Sequence, residues 1–262
     1  MDAGDHLADR VKTFWGTRAE QHGTKSSASM PDVFLTEMEI DVLSGHLEDG
    51  DRVLDVGCAN GFTTLRLASL KAAQFVGVDF SPAMIQQADK GLLECKDSLL
   101  GSVSFAVDDI LELSQPEGVF NKIICKRVLI NLGSVDRQIY ALERVHSVLD
   151  TGGVLLMSEA SKQAWQNLNA LRAAFGLGEL AEPWHNLYLD EDLVLPQIDH
   201  LYELLDIEAF SSTYYLGSRV LQPFVIGPSS EPTYDSEINK LFSQLPAYGD
   251  YGYQKLFVLK KR

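Results

Sequence analysis

The stretch RVLDVGCANGFTTL, at positions 52–65, constrains the fold more than any other part of the chain. A short apolar run ends in an acid, Asp55. Gly57 and Gly61 bracket a turn, and an apolar helical pattern opens directly behind it. This reads as a buried strand, a tight turn and a helix start. Glycine has no Cβ, so the backbone of such a turn can approach a ligand closely. A strand that is apolar on both faces needs a layer above and a layer below, which is the condition inside a parallel sheet.

The rest of the chain supplies those layers. Strands are predicted at 74–79, 103–107, 122–125 and 154–158, with helices at 62–70, 82–95 and 136–149 between them. Pro82 suits a first helical turn behind Ser81 as N-cap. Gly152 and Gly153 are expected to end the third helix and open the next strand. Ahead of the alternation, 5–20 reads as a helix through Leu7, Val11, Phe14 and Trp15, and 21–31 as a polar, mobile connection. A second helix is predicted at 32–47, with Phe34, Leu35, Met38, Val42 and Leu43 on one face. Beyond Glu159, 161–176 and 190–205 read as helices, 207–215 and 253–259 as strands, and 227–233 as a surface loop. The expected fold class is α/β, a doubly wound, mostly parallel seven-stranded Rossmann-like sheet with a helical lid insertion. Four segments follow: an N-terminal helical lid at 1–48, a ligand-binding core at 49–160, a covering insertion at 161–205, and strands completing the sheet at 206–262. Ligands of open α/β sheets bind at the C-terminal ends of the strands, which this insertion would cover.

Composition narrows the ligand. The net charge is −15, and the densest basic group is the KKR at 260–262. Binding to a phosphate backbone needs clustered Lys and Arg, so a nucleic-acid partner is not expected. No apolar run approaches the roughly 20 residues of a membrane span. The acidic start MDAGDHLADR has no apolar signal core, which points to the cytoplasm. Cys58, Cys95 and Cys125 form no C-x-x-C pair and no Cys/His zinc spacing, so reduced thiols and no metal are expected. A small molecule remains as the expected partner; oligomeric state is not legible.

Four stations resemble, in order, the cofactor motifs of the class I S-adenosylmethionine-dependent methyltransferases. The first is Asp55-Val56-Gly57-Cys58-Ala59-Asn60-Gly61, which in the family cradles the methionine end of the cofactor. Ala59 stands where the pattern often has glycine. The second is Gly77-Val78-Asp79-Phe80-Ser81, with Met84 in the helix behind it; an acid ending the second strand accepts from ribose hydroxyls. The third is Val107-Asp108-Asp109-Ile110, where the resemblance gives Asp109 to the adenine amine and the Ile110 backbone to the ring, with Asp108 as the alternative register. The fourth, beginning at Lys126 and Arg127, would line the floor beside the sulfonium. Phe14-Trp15-Gly16-Thr17-Arg18 resembles a lid element in which Arg18 would pair with the cofactor carboxylate and Trp15 would close over it. A nicotinamide site needs G-x-G-x-x-G. Counted from Gly57, the other two glycines of that pattern fall on Ala59 and Phe62.

The resemblance extends to the acceptor side, where it implies a small molecule of saccharide or secondary-metabolite type; a hydroxyl is the expected acceptor, with N- or carboxyl-methylation, or a non-catalytic methyltransferase-like binding module, as the alternatives. His185 is the candidate general base, since histidine titrates near neutral pH. Glu159, just beyond the fifth strand, is the second catalytic candidate. Asn169, Arg172, Asn186, Tyr188, Tyr214 and Arg219 are candidates for holding the acceptor. Arg172 and Arg219 can hold an anion or bridge to one of the 37 acids. On a strand, only one of Tyr214 and Tyr215 can face the pocket.

Overall fold

The computed structural model describes residues 3–227 and 234–262, with side chains from residue 7 onward. The loop read at 227–233 therefore lies outside the described residues except for Gly227. Seven strands form one sheet: β1 (Arg52–Val56), β2 (Gln74–Asp79), β3 (Ser102–Val107), β4 (Phe120–Lys126), β5 (Leu149–Ala160), β6 (Tyr202–Glu208) and β7 (Gln254–Lys261). Their order is β3-β2-β1-β4-β5-β7-β6. The first five pair in parallel, while β7 runs antiparallel to β5 and β6. The order reverses between β1 and β4, which is the switch point where α/β sheets open a crevice.

Helices cover both faces. On one, Ala141, Leu142 and Val145 of the helix Val135–Val148 pack against Leu54, Ile123 and Leu155 of the sheet. On the other, Leu35, Ile40 and Leu43 of the helix Val33–Gly45 and Leu67 of the helix Phe62–Leu70 pack against Val53, Phe75 and Ile124. Asp32 caps Val33–Gly45 by accepting from Leu35 N, and Ser81 caps Pro82–Cys95 by accepting from Met84 N. No helix among the described residues is long and apolar enough to cross a membrane.

Four expectations need correction. Gly152 and Gly153 do not end a helix: Val135–Val148 stops before them, and both lie within the opening residues of β5. The helix read at 190–205 ends at Ile198, and β6 starts at Tyr202. Leu204 and Leu205 are exposed on this outermost strand, so their apolar character reports no core face. The strand read at 207–215 stops at Glu208, and Ser212–Tyr215 is a helical turn that leads into a π-helical turn, Leu216–Leu221. Tyr214 and Tyr215 therefore do not alternate across a sheet; both are buried. Lastly, the connection at 21–31 is fastened down. The Asn60 side chain donates to Gly23 O and Lys25 O at 2.8 Å each, and Ala28 is buried.

The two glycines of the first turn serve packing as much as ligand approach. Both adopt φ of +72°. A Cβ on Gly61 would lie 2.6 Å from Phe105 and 2.9 Å from Ala88, and one on Gly57 would lie 2.2 Å from Val128. Gly61→Ala combines a left-handed backbone with overpacking, so a loss of about 2–4 kcal/mol in unfolding free energy is expected by denaturant titration. Wild-type stability in that variant would refute the packing role.

Candidate functional site

The three central strands end in the polar residues singled out above, and their C-terminal ends open onto a cavity of about 470 Å³. Of the first station, Gly57, Cys58, Ala59 and Asn60 line it; from the second, Asp79 and Phe80 do, with Met84 behind them; from the third, Asp109 and Ile110. Lys126 and Arg127 line it from the end of β4. The helix Ala3–His22 adds Ala8, Val11, Lys12 and Trp15. The segment after β5 adds Pro183, His185, Asn186 and Tyr188, and the C-terminal part adds Tyr215, Arg219, Tyr234, Tyr253 and Gln254.

Asp79 holds the first turn in place. Its Oδ2 accepts from Ala59 N and its Oδ1 from Ser81 N, both at 2.9 Å. Burial pushes its pKa up to about 6, against these two bonds. A carboxylate oxygen has a second lone pair, so Asp79 can still accept from a pair of hydroxyls in the cavity. Asp55 does not reach the cavity. It is fully buried and accepts from Thr64 Oγ1 at 2.6 Å, tying the strand end to the helix behind the turn. Gly61 also faces the protein interior rather than the cavity. Burial raises the Cys58 thiol well above its ordinary range, so it lines the cavity as a neutral group.

At the third station the two acids part company. Asp108 is engaged by its own loop, accepting from Asp109 N, Ser114 N, Ser114 Oγ and Gln115 Nε2. Asp109 caps the short turn Ile110–Glu112 through Leu111 N and lines the cavity.

The fourth station carries a buried charge network. Lys126 donates to Thr63 Oγ1 at 2.6 Å and lies 3.7 Å from Glu39, while Arg127 Nη1 donates to Glu39 Oε2 at 2.7 Å. Burial, with Arg127 adding to it, lowers the Lys126 pKa to about 8. Arg127 has φ of +56°, a strained conformation for a side-chain-bearing residue, and its Nη2 is buried with no partner. Glu39, the buried partner of both cations, was missed by the sequence reading. Its signal was present: a carboxylate one helical turn from Leu35 and from Leu43 sits on the buried face of its helix.

Glu159 belongs to the scaffold. Its Oε1 accepts from Val128 N and Leu129 N at 2.8 Å each, clamping the turn after β4 from beneath, outside the cavity lining. Burial pushes its pKa up to about 8. An unfolded glutamate titrates near about 4.3. A raised carboxyl contributes stability that is fully present below the unfolded pKa and is lost as pH rises through about 8. Thermal melts from about pH 5 to about pH 9 should therefore show a steeper decline for the wild type than for Glu159→Gln. Parallel declines would exclude Glu159 as the source.

The acceptor candidates divide. Asn186 and Tyr188 line the cavity, and Tyr188 stacks on Tyr253 at 5.4 Å. Asn169 instead staples its own segment, accepting from Leu180 N and donating to Leu180 O. Arg172 is held by the carbonyls of Gly178 and Arg219. Tyr214 donates to Asp32 Oδ1 at 2.6 Å, outside the lining. Arg219 reaches the cavity and donates from Nη2 to Asp32 Oδ2 at 2.7 Å. Asp32, which caps a helix and anchors both residues, was also missed by the sequence reading.

His185 sits in an aromatic cluster. Its ring stacks on Phe14 at 4.6 Å and meets Trp184 and Trp15 edge-on. Burial, and then the charge of Arg18, lower its pKa below the usual histidine value. Its Nδ1 is buried without a partner. Arg18 itself is bonded to the carbonyls of Ser27 and Ala28 and does not line the cavity.

Comparison with known proteins agrees with this geometry. A family model described as "Methyltransferase domain" matches residues 47–207. The carboxy-S-adenosyl-L-methionine synthase of Chromohalobacter salexigens is 30% identical over 185 residues, 65% of this chain and 66% of that one. The 27-O-demethylrifamycin SV methyltransferase of Amycolatopsis mediterranei is 27% identical over 59% of this chain and 56% of that protein. The chain thus spans about two thirds of one relative and little over half of the other. Among solved structures, magnesium protoporphyrin IX methyltransferase from Synechocystis PCC 6803 with bound S-adenosylmethionine superposes with a TM-score of 0.60. It covers 100% of this chain and 98% of that chain at 15% identity, a likeness of fold.

Proposed function

The chain belongs to the class I S-adenosylmethionine-dependent methyltransferases, and on that premise we propose that it moves the methyl group of S-adenosylmethionine onto a hydroxyl of a small molecule. The observation carrying this reading is one cavity lined both by the turns that follow β1, β2 and β4 and by a histidine whose Nδ1 is buried and unpaired.

The donor set fits the cofactor. Asp79 has lone pairs left for a ribose diol, Asp109 and the Ile110 backbone suit an adenine edge, and Trp15 is an apolar cover. The free Nη2 of Arg127 receives the cofactor carboxylate in this reading, because the Arg18 guanidinium is already engaged by two carbonyls. Bound there, S-adenosylmethionine supplies an electrophilic methyl on a sulfonium. The chain's task is then mostly placement, which can contribute about 7–11 kcal/mol. His185 takes the hydroxyl proton on Nδ1, and Tyr188, Tyr215 and Tyr253 wall the acceptor. The segments 1–48 and 161–205 act as the covers. The relative named 27-O-demethylrifamycin SV methyltransferase supports an oxygen acceptor.

Calorimetry with S-adenosylhomocysteine tests the cofactor half. A screen for its release across sugars, phenols, acids and amines tests the acceptor half. Release with amines or acids alone would replace the hydroxyl by a nitrogen or carboxyl acceptor. Binding without release from any acceptor would leave a non-catalytic binding module.

A further inference from the structure

Arg219 carries an unused half. The residue is 7% exposed and lines the cavity. One terminal nitrogen, Nη2, is paired with Asp32; the other, Nη1, has no partner among the described residues. The Tyr215 and Tyr234 rings flank the guanidinium carbon at 5.2 and 5.0 Å. Leaving a buried donor unpaired is costly, more so when it is charged, so a wall that keeps one is suited to a ligand that answers it. Asp32 does not: its bonds go to Leu35 N, the Tyr214 hydroxyl and Nη2.

Charge sharpens the identity of that ligand. The chain carries −15 overall. Yet Lys126, Arg127 and Arg219 line this side of the cavity, ion-paired among the described residues with Glu39 and Asp32. The surplus lies with Lys126 and Arg127 and is met by the cofactor carboxylate; at Arg219 the charge is balanced by Asp32, and it is the unpaired cationic N–H that selects an anionic oxygen. A carboxylate bonds well to a guanidinium, and the charge-assisted bond is about twice as strong as a neutral one.

We propose that the acceptor bears a carboxylate, received by Arg219 Nη1, with its body packed on Tyr215 and Tyr253. This deepens the methyl-transfer reading and rests on it for the word acceptor; the anion site itself does not. The carboxylate is the handle by which the molecule is held, and the hydroxyl by His185 is the group that reacts. The cofactor also carries a carboxylate, assigned above to Arg127, so the test must separate the two.

Wild-type protein, with and without S-adenosylhomocysteine, is titrated calorimetrically with matched pairs: 4-hydroxybenzoate and 4-hydroxybenzamide, 3-phenyllactate and its amide, glucuronate and glucose. At least one acid should bind about tenfold or more tightly than its neutral partner. Arg219→Lys keeps a charge beside Asp32 but loses the second arm of the fork, so it should erase that preference while leaving S-adenosylhomocysteine affinity unchanged. Acids and neutral partners binding alike, or not at all, would overturn the proposal. So would a preference that survives Arg219→Lys, or a joint loss of acid and S-adenosylhomocysteine binding, which would assign Nη1 to the cofactor. If the wild type ignores S-adenosylhomocysteine yet prefers acids through Arg219, the methyl-transfer reading fails and the anion site stands.

Discussion

Asp79→Ala is expected to weaken S-adenosylhomocysteine binding by about 10²-fold or more, the largest effect of any single change at the cofactor end. Two losses combine. The ribose loses its charged acceptor, and the first turn loses the carboxylate that holds Ala59 N and Ser81 N at 2.9 Å. The pH dependence gives a second signature. Because burial raises the Asp79 pKa to about 6, the carboxylate needed by the ribose is converted to a neutral acid just below neutrality. Affinity should therefore fall as pH drops through about 6. Stability should move the other way. A raised carboxyl contributes stability that is fully present below its unfolded pKa, near about 3.9, and lost as pH rises through about 6. Between about pH 5 and about pH 7, then, the protein should bind more tightly as this residue's contribution to its stability shrinks. Calorimetry and thermal melts across that range measure both, and Asp79→Asn should flatten both curves. Full binding by Asp79→Ala would remove Asp79 from the site.

The contrast between Asp79 and Arg219 explains what the sequence could and could not convey. Asp79 is legible because it ends a strand at a turn: the acid serves Ser81 N two residues ahead and Ala59 N in the turn of the adjacent strand, 20 residues back. The same holds for β1, β2 and β4, whose apolar runs are mostly buried and bounded by turn residues, whereas β3 lies exposed at the sheet edge. Asp109 and Asp108 could not be separated from sequence, since the choice depends on Ser114 and Gln115 folding back onto Asp108. In the second half the signals are tertiary. β6 is an outer strand with exposed leucines, so period two never shows; the paired tyrosines read as strand by propensity yet sit in a helical turn, where burial overrides propensity. Asp32 meets Arg219 and Glu39 meets Arg127 across long stretches of chain, so neither pairing leaves a trace in spacing.

At the acceptor end, His185→Ala is expected to lower turnover with a hydroxyl acceptor by about 10²–10⁴-fold. Alanine alone would not isolate the base, because His185 also stacks on Phe14 at 4.6 Å and meets both tryptophans, so its removal loosens the cover. His185→Phe keeps an aromatic ring against Phe14 and drops the proton acceptor. If the imidazole is the base, both variants lose turnover, while the Phe variant retains wild-type affinity for S-adenosylhomocysteine. The pH–rate profile adds an independent reading. Burial and the Arg18 charge depress the histidine pKa, so the ring is neutral and able to take a proton at pH 7, and the acid limb of the profile should lie below the ordinary value of about 6.5. Arg18→Gln removes one of those two causes and should move that limb to higher pH without abolishing turnover, an effect that a purely structural histidine would not produce. The linked stability has the matching sign. A depressed histidine contributes stability present above its unfolded pKa and lost as pH falls through the folded one, so the wild type should lose stability on acidification that His185→Phe keeps. Turnover by His185→Phe at the wild-type rate, with an unshifted acid limb, would reduce His185 to a wall residue. The acceptor would then be a group that needs no base, such as a carboxylate.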